Sequence, residues 1–290
     1  MATPLTADRL LQALRKEGLR VVEHRSWRTH NRNHKGPWGP VHGVMIHHTV
    51  TEGTQQSVEL CYNGHSSLPG PLCHGVIAKD GTVYLVGNGR TNHAGLGDDD
   101  VLQAVIDERP LPADNEANTD GNRHFYGFEC INLGDGKDPW PAAQLEAIEK
   151  AAAAICRAYG WGSASTIGHL EWQPGKVDPR GFSMADMRAR IRARLGRPAG
   201  STPTPSEEDD MTPEQAKLLT DTAAAVRRIE EKLARDPWTY VGHGDPRDMH
   251  QVVKDIDANV KAIEATGIGE PQTDAIADRL LDKMSGRLTD

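Results

Sequence analysis

The sequence predicts an α/β domain built on a single mixed central β-sheet flanked by helices, followed by a small all-α C-terminal region. Three observations carry this expectation. Short apolar runs of strand character alternate with amphipathic helical periods through residues 1–196. A stretch rich in Pro, Gly, Ser and Thr then leads into the acidic run Glu207-Glu208-Asp209-Asp210. Such a composition cannot bury apolar surface and reads as a solvated linker over 197–211. Beyond it, over 212–290, only helical spacing recurs.

The elements follow in order. Residues 6–16 place Leu10, Leu11 and Leu14 on one helical face, with Gly18 closing the helix. Residues 19–23 (Leu-Arg-Val-Val-Glu) read as a strand. Residues 43–48 are an apolar strand ending in two imidazoles. Residues 75–86 form a hairpin around Asp80-Gly81, a dipeptide suited to a tight turn. A further strand is expected over 126–133. From Pro141, Leu145, Ile148, Ala152, Ile155 and Tyr159 recur at three and four residues, a long amphipathic helix stopped by Gly160. Ser183 with Asp186 resembles a capping box that opens a helix through Leu195. After the linker, Thr212-Pro213 is an N-cap followed by proline in the first turn. Two narrow seams follow, Leu219 to Leu233 and Met249 to Ile263, with a last short helix over 273–284. Such seams suit a small bundle or self-association more than an independent core.

Composition narrows the class. The chain has 290 residues, 37% of them hydrophobic, with a mean hydropathy of −0.57. No apolar run approaches the roughly 18 residues of a membrane span, so no membrane insertion is expected. The net charge of −8 lies in residues 201–290, which carry 19 acidic and 11 basic residues; residues 1–200 hold 22 of each. Nucleic-acid binding, which needs a basic footprint, is not expected. The first residues contain no apolar h-region, so synthesis in the cytoplasm without a signal peptide is expected. Cys61, Cys73, Cys130 and Cys156 lack CxxC spacing, and reduced thiols are expected, Cys61–Cys73 being the one pair near enough in sequence to suspect.

The chemistry concentrates in two distant stretches. Val44-Met45-Ile46-His47-His48-Thr49 reads as a strand ending in imidazoles, and Gly168-His169-Leu170-Glu171-Trp172, with Lys176-Val177-Asp178 beyond it, as a loop ending in a carboxylate. Together they offer two nitrogens and one oxygen, the donor set of a catalytic zinc with a fourth position open to water. Adjacent strand residues face opposite sides, so only one of His47 and His48 can enter a given site. Taken singly, each histidine is more often structural than ligating; the combination gives the reading its force.

At these residues the sequence resembles the type 2 zinc-dependent N-acetylmuramoyl-L-alanine amidases, which include phage lysozyme-type amidases and the peptidoglycan recognition proteins. Five ordered motifs carry the resemblance: Ile46-His47-His48-Thr49; Cys73-His74-Gly75-Val76-Ile77 leading to Asp80-Gly81-Thr82-Val83-Tyr84; Asn92-His93-Ala94-Gly95; Gly127-Phe128-Glu129-Cys130-Ile131-Asn132; and Gly168-His169 through Asp178-Pro179. The resemblance covers roughly residues 20–195 and is nearest to endolysins of phages infecting actinobacteria. The resemblance implies a zinc amidase catalytic domain over 1–196, with Zn2+ held by His47 rather than His48, together with His169 and Asp178.

Many relatives carry Tyr where this chain has Cys73, so the resemblance shifts the proton work to Glu129, with Lys176 beside the developing oxyanion. It makes His74 and His93 cleft-lining substrate contacts or partners orienting the ligands. Trp140 and Trp172 suit either a substrate platform or a packed position. It further implies peptidoglycan as the partner, cleavage of the amide between the N-acetylmuramic acid lactyl group and L-alanine, and action on the wall after holin-type release. The competing expectation is a peptidoglycan-binding module without catalysis; the complete set of His47, His169, Asp178 and Glu129 argues against it. Residues 212–290 resemble no wall-binding repeat, and homo-oligomerisation through their helices is preferred to cell-wall targeting.

Overall fold

The structure is a computed structural model and describes residues 2–201, which belong to one compact unit, Met1–Pro203. The expected linker beyond residue 201 and the helices of 212–290 lie outside the described residues.

Along the chain come α1 (Ala7–Lys16), β1 (Val21–Glu23), β2 (Gly43–His48) and α2 (Thr54–Asn63), then the short strands β3 (Gly64–His65) and β4 (Leu68–Pro69). Next are β5 (Gly75–Ile77), β6 (Val83–Leu85), β7 (Leu96–Gly97), α3 (Asp99–Ile106), β8 (Thr119–Asp120) and β9 (Phe125–Cys130). α4 (Ala142–Tyr159), β10 (Thr166–Gly168) and α5 (Met184–Leu195) complete the order. Six strands form one mixed sheet in the order β1-β6-β5-β9-β2-β10. The β5–β6 hairpin is antiparallel, and the other pairings are parallel. The expected fold class is therefore observed for the described residues.

Side-chain alternation divides the sheet into two faces. Val44 and Ile46 of β2, with Tyr126, Phe128 and Cys130 of β9, join a core made with Leu10 and Leu14 of α1, Ile148, Ala151 and Ile155 of α4, and Met187 and Ile191 of α5. The alanines of α4 let its backbone lie close to the strands. Gly160 ends that helix in the left-handed conformation (φ 73°), and Trp161 N–H donates to Cys156 C=O. The arginines of α5 grip α4: Arg190 and Arg194 both donate to Glu149, whose carboxylate is buried. Removing Glu149 is expected to cost about 3 kcal/mol or more, because the buried Arg194 loses the carboxylate that pairs with it most closely.

The opposite face carries two smaller apolar clusters. One combines Met45, Phe125, Ile167 and Trp172 with Val101, Leu102 and Val105 of α3. The other joins Val58 and Cys61 of α2 to Cys73, Val76, Ala78 and Ile131. His47 and Glu129, register partners on β2 and β9, lie on this face at the carboxyl ends of their strands.

Two sequence expectations are corrected. The second histidine stretch is not simply a loop: β10 ends at Gly168 and a turn of 3-10 helix runs His169–Glu171. The two helices of the second face, α2 and α3, have no counterpart among the elements the sequence predicts. α3 is opened by Asp98, whose carboxylate accepts from Asp100 and Val101 N–H.

Candidate metal centre

Three separate segments deliver the polar groups. β2 carries His47, 1% exposed, into the sheet's second face. β10 pairs in parallel with β2, Gly168 opposite Ile46, and so brings His169 alongside. The turn that holds His169 is fixed from outside. Glu171 accepts from Gly168 N–H, and Arg188 of α5 clamps Glu171 with two 2.7 Å contacts. The backbone of Asp178 is tied to the same turn, since Leu170 N–H donates to its carbonyl at 2.7 Å. Glu171 belongs to the motif around His169, whereas no motif in the sequence marks Arg188.

His47 Nδ1, His169 Nδ1 and Asp178 Oδ2 converge in a triangle with edges of 3.1, 3.0 and 3.0 Å. With Asp178 ionised, as its lowered proton affinity requires near neutral pH, protons alone do not satisfy it. With both Nδ1 atoms protonated, two N–H groups oppose each other; with one, an edge brings two lone pairs together. A cation facing all three atoms removes the conflict. Bonds of zinc length (about 2.0–2.2 Å) in a tetrahedral arrangement set ligand atoms about 3.3–3.6 Å apart, so the observed edges would have to open by only a few tenths of an ångström. Two imidazoles and a carboxylate also match the donor chemistry, so the residues fit zinc. Burial holds the His47 imidazole down at about 4, which keeps it neutral and able to ligate. Burial works against ionisation of Asp178, but the His169 and His47 imidazoles outweigh it and hold the carboxyl below the usual carboxylate range.

The triangle opens into a cleft of about 520 Å³. Glu129, Lys176, His93, Asn92 and Gln173 line it, with Leu60, Leu68 and Leu72 forming an apolar wall that the sequence did not reveal. Val50 and Val177 stand exposed at the rim. Glu129 is half-buried, and its Oε2 is shut off from solvent with no hydrogen-bond partner. Burial, then the nearby Cys61 and Asp178, push its carboxyl well above the ordinary value, against the pull of Lys176. Lys176 itself is exposed.

His93 is 8% exposed and touches the triangle from behind: its Nδ1 lies 3.0 Å from His47 Nε2, and its Nε2 lies 3.1 Å from the Phe125 carbonyl oxygen. His74 stands differently from the expectation of a substrate contact. It is wholly buried and does not line the cleft. Its Nδ1 accepts from Gly127 N–H, and its Nε2 faces the Gly89 carbonyl at 2.9 Å. Both nitrogens are thus spent on backbone, and the side chain serves packing.

His48 reaches the edge of the cleft, where its Nδ1 accepts from Arg180 N–H at 3.2 Å and its ring covers Gly134. It braces the segment that follows Asp178. Trp172 is no platform: it is fully buried, donates to the Ala94 carbonyl, and leaves Gly97 and Gly121 no room for a side chain. Trp140 is partly buried, donating to the Arg180 carbonyl and packing edge-on against Phe182. Cys61 and Cys73 are both buried free thiols, and Cys130 lies in the core of the other face.

A family model described as N-acetylmuramoyl-L-alanine amidase matches residues 37–181, half of the chain. No curated protein matches the sequence. Among solved structures, the chain is similar to the endolysin N-acetylmuramoyl-L-alanine amidase LysCS from Clostridium intestinale, at 17% identity over 59% of this chain and 95% of that one, with a TM-score of 0.40. It is also similar to the Ph2119 endolysin from a Thermus scotoductus bacteriophage (17% identity, 59% and 99% covered, TM-score 0.40). A mutant of Drosophila PGRP-LB in complex with tracheal cytotoxin gives 16% identity, 59% and 95% covered, and a TM-score of 0.39. The family match spans the whole triangle together with Glu129 and Lys176, and the chain belongs to the N-acetylmuramoyl-L-alanine amidase family.

Proposed function

We propose that the protein is a zinc-dependent endolysin of phage type that hydrolyses the amide between the lactyl group of N-acetylmuramic acid and L-alanine of peptidoglycan. The observation that carries the reading is the triangle of His47, His169 and Asp178, whose three facing atoms no arrangement of protons satisfies while Asp178 is ionised, as its lowered proton affinity favours. Zinc held by these residues supplies a Lewis acid that activates water and polarises the scissile carbonyl.

The chain's own groups do the rest. Glu129, directly opposite His47 on the neighbouring strand, presents a carboxyl whose proton affinity is raised by burial. It accepts the proton of the attacking water at a carboxylate oxygen and returns it to the leaving nitrogen. Lys176 at the cleft edge places an ammonium against the negative charge that gathers on the carbonyl oxygen. His93 lines the cleft, and the wall of Leu60, Leu68 and Leu72 excludes water from one side.

In this reading residues 1–196 are the catalytic domain and 197–211 a linker. Residues 212–290 form a helical region that self-associates, and sedimentation of the chain with and without 207–290 tests that assignment. Identical monomers would remove it. Wall access after holin-type release follows from the endolysin reading.

The central test is digestion of purified peptidoglycan followed by mass spectrometry, with zinc content measured on the same preparation. The expected products are stem peptides with free L-alanine N-termini. A protein that binds walls without releasing such peptides would overturn the proposal.

A further inference from the structure

Behind the triangle runs a chain of three groups: His47, His93 and the carbonyl of Phe125. We propose that His93 is a positioning residue that fixes the tautomer of His47, holding His47 Nδ1 free of a proton and aimed at the metal. This inference rests on the zinc reading of the site.

The argument starts from the fixed end. The Phe125 carbonyl can only accept, and it lies 3.1 Å from His93 Nε2, so that nitrogen carries the proton. In the neutral ring that burial favours, His93 Nδ1 is then a bare acceptor. Its neighbour at 3.0 Å is His47 Nε2, which must therefore donate. A neutral imidazole has one N–H, so His47 Nδ1 is left as a lone pair, the form a cation needs. The opposite assignment would set the lone pair of His93 Nε2 against the Phe125 oxygen. One backbone carbonyl on β9 thus dictates the chemistry of an atom two rings away on β2.

The sheet is shaped to hold this relay. A Cβ at Gly127 would lie 2.5 Å from Cγ and Nδ1 of His93, so the missing side chain at this β9 position gives the ring its place. The loop that carries His93 is pinned as well: Asn122 Oδ1 accepts from the backbone N–H of both His93 and Ala94.

The test uses the full chain, first freed of metal and then titrated with zinc against a chromophoric chelator. Long-range 1H–15N correlation of the metal-free protein, with His47 assigned by loss of its signals in His47→Asn, is expected to show the Nε2–H tautomer. His93→Phe removes the acceptor and is expected to weaken zinc binding about 10- to 100-fold. His93→Gln, whose amide can accept from His47 and donate to Phe125, is expected to recover most of that loss. Gly127→Ala reaches the relay from the strand and is expected to weaken zinc binding while His93 itself is retained.

A Nδ1–H tautomer at His47, or zinc binding by His93→Phe equal to that of the unaltered protein, would overturn the inference. If the unaltered protein fails to bind zinc, the metal reading falls, while the tautomer measurement still judges the relay.

Discussion

Acid should unfold this protein in part through His74, and the size of the effect can be worked out. His74 has no exposure, and its two nitrogens are engaged by Gly127 and Gly89. Burial lowers its proton affinity from the ordinary 6.5 to about 4. Unfolding restores the ordinary value, so below pH 6.5 the unfolded chain binds a proton that the folded one refuses. The contribution is intact above 6.5, falls as pH drops from 6.5 to 4, and is lost below. The full loss is about 3 kcal/mol, and the part falling between pH 7 and pH 5 is about 2 kcal/mol. Urea denaturation of the unaltered protein and of His74→Gln, both with chelator at pH 7 and pH 5, isolates this one group. The other buried histidines titrate in both proteins and cancel. The unaltered protein is expected to lose about 2 kcal/mol more than the variant over this interval. Parallel losses would show that His74 is not a sealed, neutral imidazole.

Other outcomes are equally open to measurement. Glu129→Gln keeps the shape of the cleft wall and removes the proposed proton carrier, so kcat should fall at least about 100-fold while zinc content stays unchanged. Loss of zinc in that variant would move Glu129 from proton transfer to metal retention. Trp172→Ala empties the space against Gly97 and Gly121 and strands the Ala94 carbonyl, and should cost about 3–5 kcal/mol in urea denaturation. Gly134→Ala meets two obstacles, a φ of 67° and a Cβ 2.3 Å from His48 Cε1. It should lower stability by more than about 1 kcal/mol and depress the thermal midpoint measurably.

The long elements with a clear period were legible in the sequence. The strand expected over 43–48 is β2 at the same bounds, and the helix after Pro141 is α4, Ala142–Tyr159. The hairpin around Asp80-Gly81 appears as β5 and β6, shorter than expected because the turn takes up residues 78–82. α2 and β10 escaped for physical reasons. α2 buries only Ser57, Val58 and Cys61, too few apolar positions to mark a face. β10 has three residues with Ile167 as its one large apolar side chain, and its place beside β2 is decided by pairing rather than pattern.

At the site, residue types and order pointed to the groups now found in the triangle, while sequence spacing could not say which histidines face a cleft. His74 and His93 lie in similar short motifs, yet the fold seals one against backbone and sets the other behind His47. That difference depends on Gly127 and on loops whose geometry leaves no periodic trace.

The central sheet has short edges. β9 and β2 run six residues each, while the two outer strands, β1 and β10, run three. An outer strand of three residues offers a neighbouring molecule only one or two backbone hydrogen bonds, too few to seed strand addition. Both edges of this sheet are therefore short in the way that disfavours edge-to-edge joining with the sheet of a second copy.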